Sequence, residues 1–207
     1  SGEMRIADHG GQINGHKEEV RVKKSFIVLV GLLAMVGIAS SASASAISSG
    51  TWYEFSFGGA GTGAGCTPED PAGSGCVPSS GTPTVNAGAP PWTIDLALAG
   101  SITVTDAFLR GDVFDVYDFG VLIGTTSAVA ASGSCGDDPM PCLADPLASS
   151  GVFALAKGAH SLEIKAAVSP FGSGAAYFRV DVIPEPGAAL LFGVGLLVVG
   201  RALRHSA

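Results

Sequence analysis

Trp92-Thr93-Ile94-Asp95-Leu96-Ala97-Leu98 alternates large apolar side chains with small or polar ones. A period of two puts Trp92, Ile94, Leu96 and Leu98 on one face of an extended strand, as in a sheet with one face on a core. The pattern recurs on both sides. Upstream, Thr51-Trp52-Tyr53-Glu54-Phe55-Ser56-Phe57 reads as a first strand, followed by about thirty Gly-, Pro- and Ser-rich residues. Downstream, Ile102 and Val104 belong to a third strand. Phe114 and Val116 lead through Asp118-Phe119-Gly120 into Val121-Leu122-Ile123 as a hairpin. After a second loop over residues 127–150, Phe153 and Leu155 are expected to pair through Lys157-Gly158 with Leu162 and Ile164, and residues 177–182 make the last strand. Short strands with Gly turns and almost no helical periodicity predict an all-β fold, an antiparallel, jelly-roll-like sandwich.

The charge of this stretch excludes one class of partner. Residues 47–183 hold 4 Lys and Arg against 13 Asp and Glu, a net of −9, while the whole chain of 207 residues has −7. Nucleic-acid binding needs clustered cations on phosphates, and the foldable part lacks them.

Two uncharged, apolar blocks of 14 residues flank it, at 26–39 and 187–200. Lys23 and Lys24 precede the first, and Ser40-Ser41-Ala42-Ser43-Ala44-Ser45-Ala46 follows it. A positive start, a short apolar core and overlapping A-x-A sites make a secretory signal peptide over residues 22–46, cleaved after Ala44 or Ala46. The polar, aperiodic residues 1–21 read as an upstream extension, with translation starting at Val22. The second block, as a helix, spans roughly 21 Å, a thin membrane crossing once Ala202, Leu203 and the snorkelling arginines are added.

Pro184-Glu185-Pro186, a Gly-rich apolar helix and the terminal Arg201 and Arg204 resemble, in that order, the PEP-CTERM sorting signal of exported Gram-negative bacterial proteins. The two arginines, split by Ala202 and Leu203, are a looser basic cluster than the family often has. The resemblance covers residues 184–207. It implies sorting by an exosortase in the inner membrane, an association with exopolysaccharide, and transient anchoring before delivery to the envelope surface or the extracellular matrix. The segments 111–118, 124–127, 144–146, 158–162 and 177–181 also resemble uncharacterised exported proteins with an all-β domain, which implies a fold but no activity. The organisation expected is therefore extension 1–21, signal peptide 22–46, β-sandwich 47–183 and sorting signal 184–207.

Export places Cys66, Cys76, Cys135 and Cys142 in an oxidising compartment, so four cysteines read as two disulfides. Of three connectivities, the local pairs Cys66–Cys76 and Cys135–Cys142 are expected, because each closes a Gly- or Pro-rich turn that needs a staple. Zinc is disfavoured: no C-x2-C occurs, and His160 is the one histidine between the two addressing segments.

No G-x-S-x-G and no phosphate-cradling glycine spacing occur. A Ser-His-Asp triad would depend on His160, and carboxylate pairs for glycosidase chemistry can be drawn from Asp112, Asp115, Asp118 and Glu163, with nothing to single one out. No catalytic residue is assigned. Calcium is the one cofactor with ligands to hand, Asp112, Asp118, Asp137 and Asp138 being oxygen donors in or beside loops; a dispersed, solvated acidic face is the expected outcome. The function expected is a structural or interaction role in the envelope or matrix. The alternative is a carbohydrate-binding module stacking sugars on Trp52, Tyr53, Trp92 or Tyr117, of which Tyr53 is expected to be exposed and Trp92 to be core.

Overall fold

The computed structural model describes residues 44–184. Residues 22–43 of the expected signal peptide and the expected C-terminal helix lie outside these residues, as do Glu185, Pro186, Arg201 and Arg204, whereas Ala44, Ser45 and Ala46 lie within them. Among the described residues no helix is long and apolar enough to cross a membrane.

The strands are β1 (Ser45–Ala46), β2 (Trp52–Phe57), β3 (Cys66–Thr67), β4 (Ser74–Gly75), β5 (Thr84–Asn86), β6 (Trp92–Leu96), β7 (Gly100–Asp106), β8 (Phe108–Leu109), β9 (Val113–Asp118), β10 (Val121–Thr125), β11 (Ser134–Gly136), β12 (Ser150–Leu155), β13 (Gly158–Val168) and β14 (Gly174–Val182). A single helix among the described residues, α1 (Pro139–Ala144), interrupts the run. One five-stranded sheet has the order β1-β6-β13-β9-β10, and the other β12-β7-β14-β2-β5. The fold is all-β, and the two sheets share one core. The long strands pair antiparallel; the short β1 and β5 add parallel to β6 and β2.

Alternation builds that core. Tyr53, Phe55 and Phe57 of β2 face Trp92 of β6 and Phe114 of β9, with Phe178 of β14 between them. The Phe55 ring packs edge-on to Trp92, Phe114 and Phe178 with centroids at 5.7, 5.6 and 6.0 Å, inside the range in which aromatic pairs attract. Ile102, Val104, Val116, Leu162, Ile164 and Val180 fill the remaining inward positions. Trp92 is fully buried, as its strand pattern requires, and its indole N–H donates to the Gly88 carbonyl.

The β9–β10 hairpin forms as expected. Its turn places Phe119 at φ 48° and Gly120 at φ 75°, the two left-handed residues that match the twist of paired strands. The second expected hairpin does not form. β12 pairs with β7, Phe153 lying opposite Ile102, whereas β13 pairs with β6 and β9, Leu162 lying opposite Trp92 and Asp118. Lys157-Gly158 therefore carries the chain from one sheet to the other, so Leu155 and Leu162 enter the core from opposite sides. Two short sequential apolar strands look alike whether they pair or face each other.

Both disulfides are local, Cys66–Cys76 and Cys135–Cys142. The second closes a turn containing α1, where the sequence suggested only a loop. Asp138 caps that helix by accepting from the Met140 amide at 3.0 Å, and Pro139 opens it.

Candidate functional site

β2 is buried on both faces, which alternation alone does not predict. Trp52, Glu54 and Ser56 point away from the core, towards the two disulfide-closed loops. The Cys66 sulfur lies 3.0 Å from the Glu54 carbonyl, and Leu143 of α1 packs on the cluster of Trp52, Ala107 and Tyr177. The stretch that follows Cys76 is joined to the second loop: Ser80 Oγ donates to Asp137 Oδ1 at 2.7 Å, and the Thr82 amide donates to Asp138 Oδ2 at 3.2 Å. Beneath them Trp52 Nε1, both carboxyl oxygens of Glu54 and the Tyr177 hydroxyl are buried without a hydrogen-bond partner. Glu54 and Tyr177 are direct cross-strand neighbours. Burial pushes the Glu54 carboxyl up to about 7, with the nearby Val77 amide, short of hydrogen-bond geometry, opposing and Asp137 adding repulsion, and it raises the Tyr177 hydroxyl too.

A second polar group lies at one end of the sandwich, where the segments 107–112 and 169–173 connect strands. Asp106, at the end of β7, is fully buried. Its Oδ1 accepts from the Ala107 amide at 2.8 Å, and its Oδ2 accepts from the amides of Gly111 and Asp112 at 3.1 and 3.2 Å. The carboxylate thus folds the connection around itself. Phe108 is held there at φ 57°, a left-handed conformation that costs a non-glycine residue energy, and Gly111 at φ 138°. Burial lifts Asp106 to about 7 in spite of its three donors, with Asp112 repelling it.

Asp112 is 3% exposed, and its Oδ1 has no partner; nor has the buried Ser169 hydroxyl nearby. Burial raises its pKa as well, with the Ser169 hydroxyl, close by but short of hydrogen-bond geometry, pulling the other way. Asp112 lines a cavity of about 80 Å³ whose walls include Phe108, Leu109, Phe171, Ser173 and Gly174. That volume admits several water molecules or a few non-hydrogen atoms of a ligand.

The other expected residues are dispersed. Asp118 binds His160 Nδ1 at 2.7 Å and the Ser161 amide at 3.0 Å. His160 Nε2 faces the Ala156 carbonyl at 2.8 Å. Both ring nitrogens thus meet acceptors, and neither is turned towards a serine. Asp137 and Asp138 tie the second disulfide loop to Ser80 and Thr82, away from Asp112 and Asp118. Among the described residues no three His, Cys, Asp or Glu side chains gather as metal ligands. Calcium therefore finds no converged set in Asp112, Asp118, Asp137 and Asp138.

Tyr53 corrects an expectation. It is 8% exposed, because it shares its face with Phe55 and Phe57; it stacks on Phe178 at 5.4 Å, and its hydroxyl accepts from the Ser48 amide. Trp52 and Trp92 are also buried, and Tyr117 is half-buried with the Lys165 ammonium 5.2 Å from its ring centre. Sequence reasoning missed Glu54, Phe108, Ser169, Phe171 and Tyr177 as site residues. A signal existed for Glu54, a carboxylate in a strand whose solvent-side neighbour is tryptophan. No family model, curated protein or solved structure matches the chain.

Proposed function

We propose that this chain is an exported protein whose jelly-roll-like sandwich has a structural or interaction role in the cell envelope or extracellular matrix, beside exopolysaccharide. The observation that carries the reading is the closure of all four cysteines into two local disulfides, compatible with an oxidising compartment. The stretch after the first disulfide is bonded to the second disulfide loop over one sheet, a cover suited to a domain that works outside the cell. The flanking sequences supply the address: a signal peptide before Ser45, and Pro184-Glu185-Pro186 before an apolar segment ending in Arg201 and Arg204. Pro184 is exposed, two residues beyond the end of β14, where a membrane-embedded exosortase could reach the motif.

The test replaces Pro184-Glu185-Pro186 with alanines in a host that sorts the wild-type chain. The expected result is an unprocessed protein retained in the inner membrane, while the disulfides still form. Unchanged processing and location would overturn the sorting assignment.

A further inference from the structure

We propose that the cavity at the end of the sandwich binds a small organic cation, with its ammonium group held by Asp112. The Asp112 carboxylate is more than nine-tenths buried, and one oxygen receives no hydrogen bond. Neighbouring Asp106 cannot relieve it, since both its oxygens are committed to backbone amides. Arg110, on the same connection, is turned to Asp145, its Nε donating to Oδ2 at 2.7 Å. Among the described residues the carboxylate at the cavity wall therefore has no ion-pair partner. A buried charge without one is costly, so a cationic occupant has much to gain there.

The walls choose among cations. Calcium takes six to eight oxygens, and no three acidic, histidine or cysteine side chains converge among the described residues. Phe108, Phe171, Leu109 and Ala107 instead offer apolar contact and two aromatic rings. Such walls suit the carbon body of an alkylammonium, whose N–H groups donate to the Asp112 carboxylate. At about 80 Å³ the cavity admits only a short amine or the end of a longer one. The same chemistry is carried by the amine of an amino sugar and by a lysine side chain of a protein partner.

Ethylammonium chloride is titrated into the purified, disulfide-intact protein against sodium chloride at equal ionic strength, with amide resonances followed by NMR. The expected result is a saturable shift at Asp112, Gly174 and Ala175, with affinity reduced at least about tenfold in Asp112→Asn, since a charge-assisted hydrogen bond is lost. Phe171→Ala changes an exposed loop residue and should weaken binding while leaving the fold intact, which keeps the test decisive if the Asn variant fails to fold. Glucosamine and N-acetyl-lysine amide then separate the two sources, and a stronger response to either supports the site. Equal responses to ethylammonium and sodium, an equal response to ethanol, or preferential binding of calcium would each overturn the proposal. The readout does not depend on sorting, so failure of one reading leaves the other standing.

Discussion

Phe55 touches aromatic rings of both sheets, and removing its ring leaves a void that Trp92, Phe114 and Phe178 cannot fill together. Phe55→Ala should destabilise the domain by about 3–5 kcal/mol, whereas Phe119→Ser, at a turn position 65% exposed, should change stability little; chemical denaturation of both variants checks the contrast. Glu54 makes a different prediction. Its folded pKa, about 7, lies above its ordinary 4.5, so between these values the unfolded chain binds fewer protons and stability falls as pH rises. Asp106 acts in the same direction from 3.8 to about 7. On the acid side Asp138 and Asp145 are held below 3.8, so stability falls again as pH drops through their folded values. The melting temperature should therefore peak near pH 4.5 and fall towards pH 7. Glu54→Gln should flatten that fall and melt higher than wild type at pH 8, with the share due to Asp106 remaining. An unchanged pH profile would show that Glu54 is not held against Asp137 and Tyr177 as described.

β1 is only two residues long, yet it settles a choice between two cleavage points. Its Ser45 amide donates to the Pro91 carbonyl and the following Ile47 amide to Thr93, so processing after Ala44 preserves the pairing with β6, while processing after Ala46 deletes the strand and puts a charged terminus on core residue Ile47. N-terminal sequencing of the exported protein should give Ser45. The disulfide loops are elements of another kind, since their closure contributes about 2–3 kcal/mol each while the sandwich core lies outside them. Reduction should therefore speed amide exchange at Glu54 and Ala107, under the loops, more than at Val104 and Val180, and the sheets should persist. Most strands were legible because Trp92, Ile102, Phe114 and Phe178 carry their alternation in the chain itself. The partners of Leu155 and Leu162 were not, because period-two patterns name faces and not partners, and the hairpin expected between them does not form. The buried state of Glu54 was hidden for a related reason: alternation marks it as solvent-facing, and only loops more than ten residues distant decide whether solvent is there. The site at Asp112 needed both the turn around Asp106 and the 169–173 connection, brought together from separate parts of the chain by the antiparallel pairing of β7 with β14.

The whole described domain is strongly acidic, and its cations are already spoken for. Arg110 pairs with Asp145, Lys165 with Glu163 and Arg179 with Asp181, so of the 4 basic residues in 47–183 only Lys157 is left against the unpaired carboxylates. Those carboxylates do not converge; they are spread over both sheets and both disulfide loops. Dispersed like charges repel over distances comparable to the Debye length, about 30 Å at 0.01 M salt and about 8 Å at 0.15 M, so screening should matter more than any single contact. Sodium chloride should raise the melting temperature across that range at pH 8, where Glu54 and Asp106 are both above their folded pKa values. Calcium and magnesium chlorides at equal ionic strength should give the same rise as each other, because a spread of charges senses valence and not ionic radius. A calcium effect that saturates at micromolar concentration and disappears in Asp112→Asn would contradict this. It would show that the loops rearrange to gather ligands that stand apart in the folded chain.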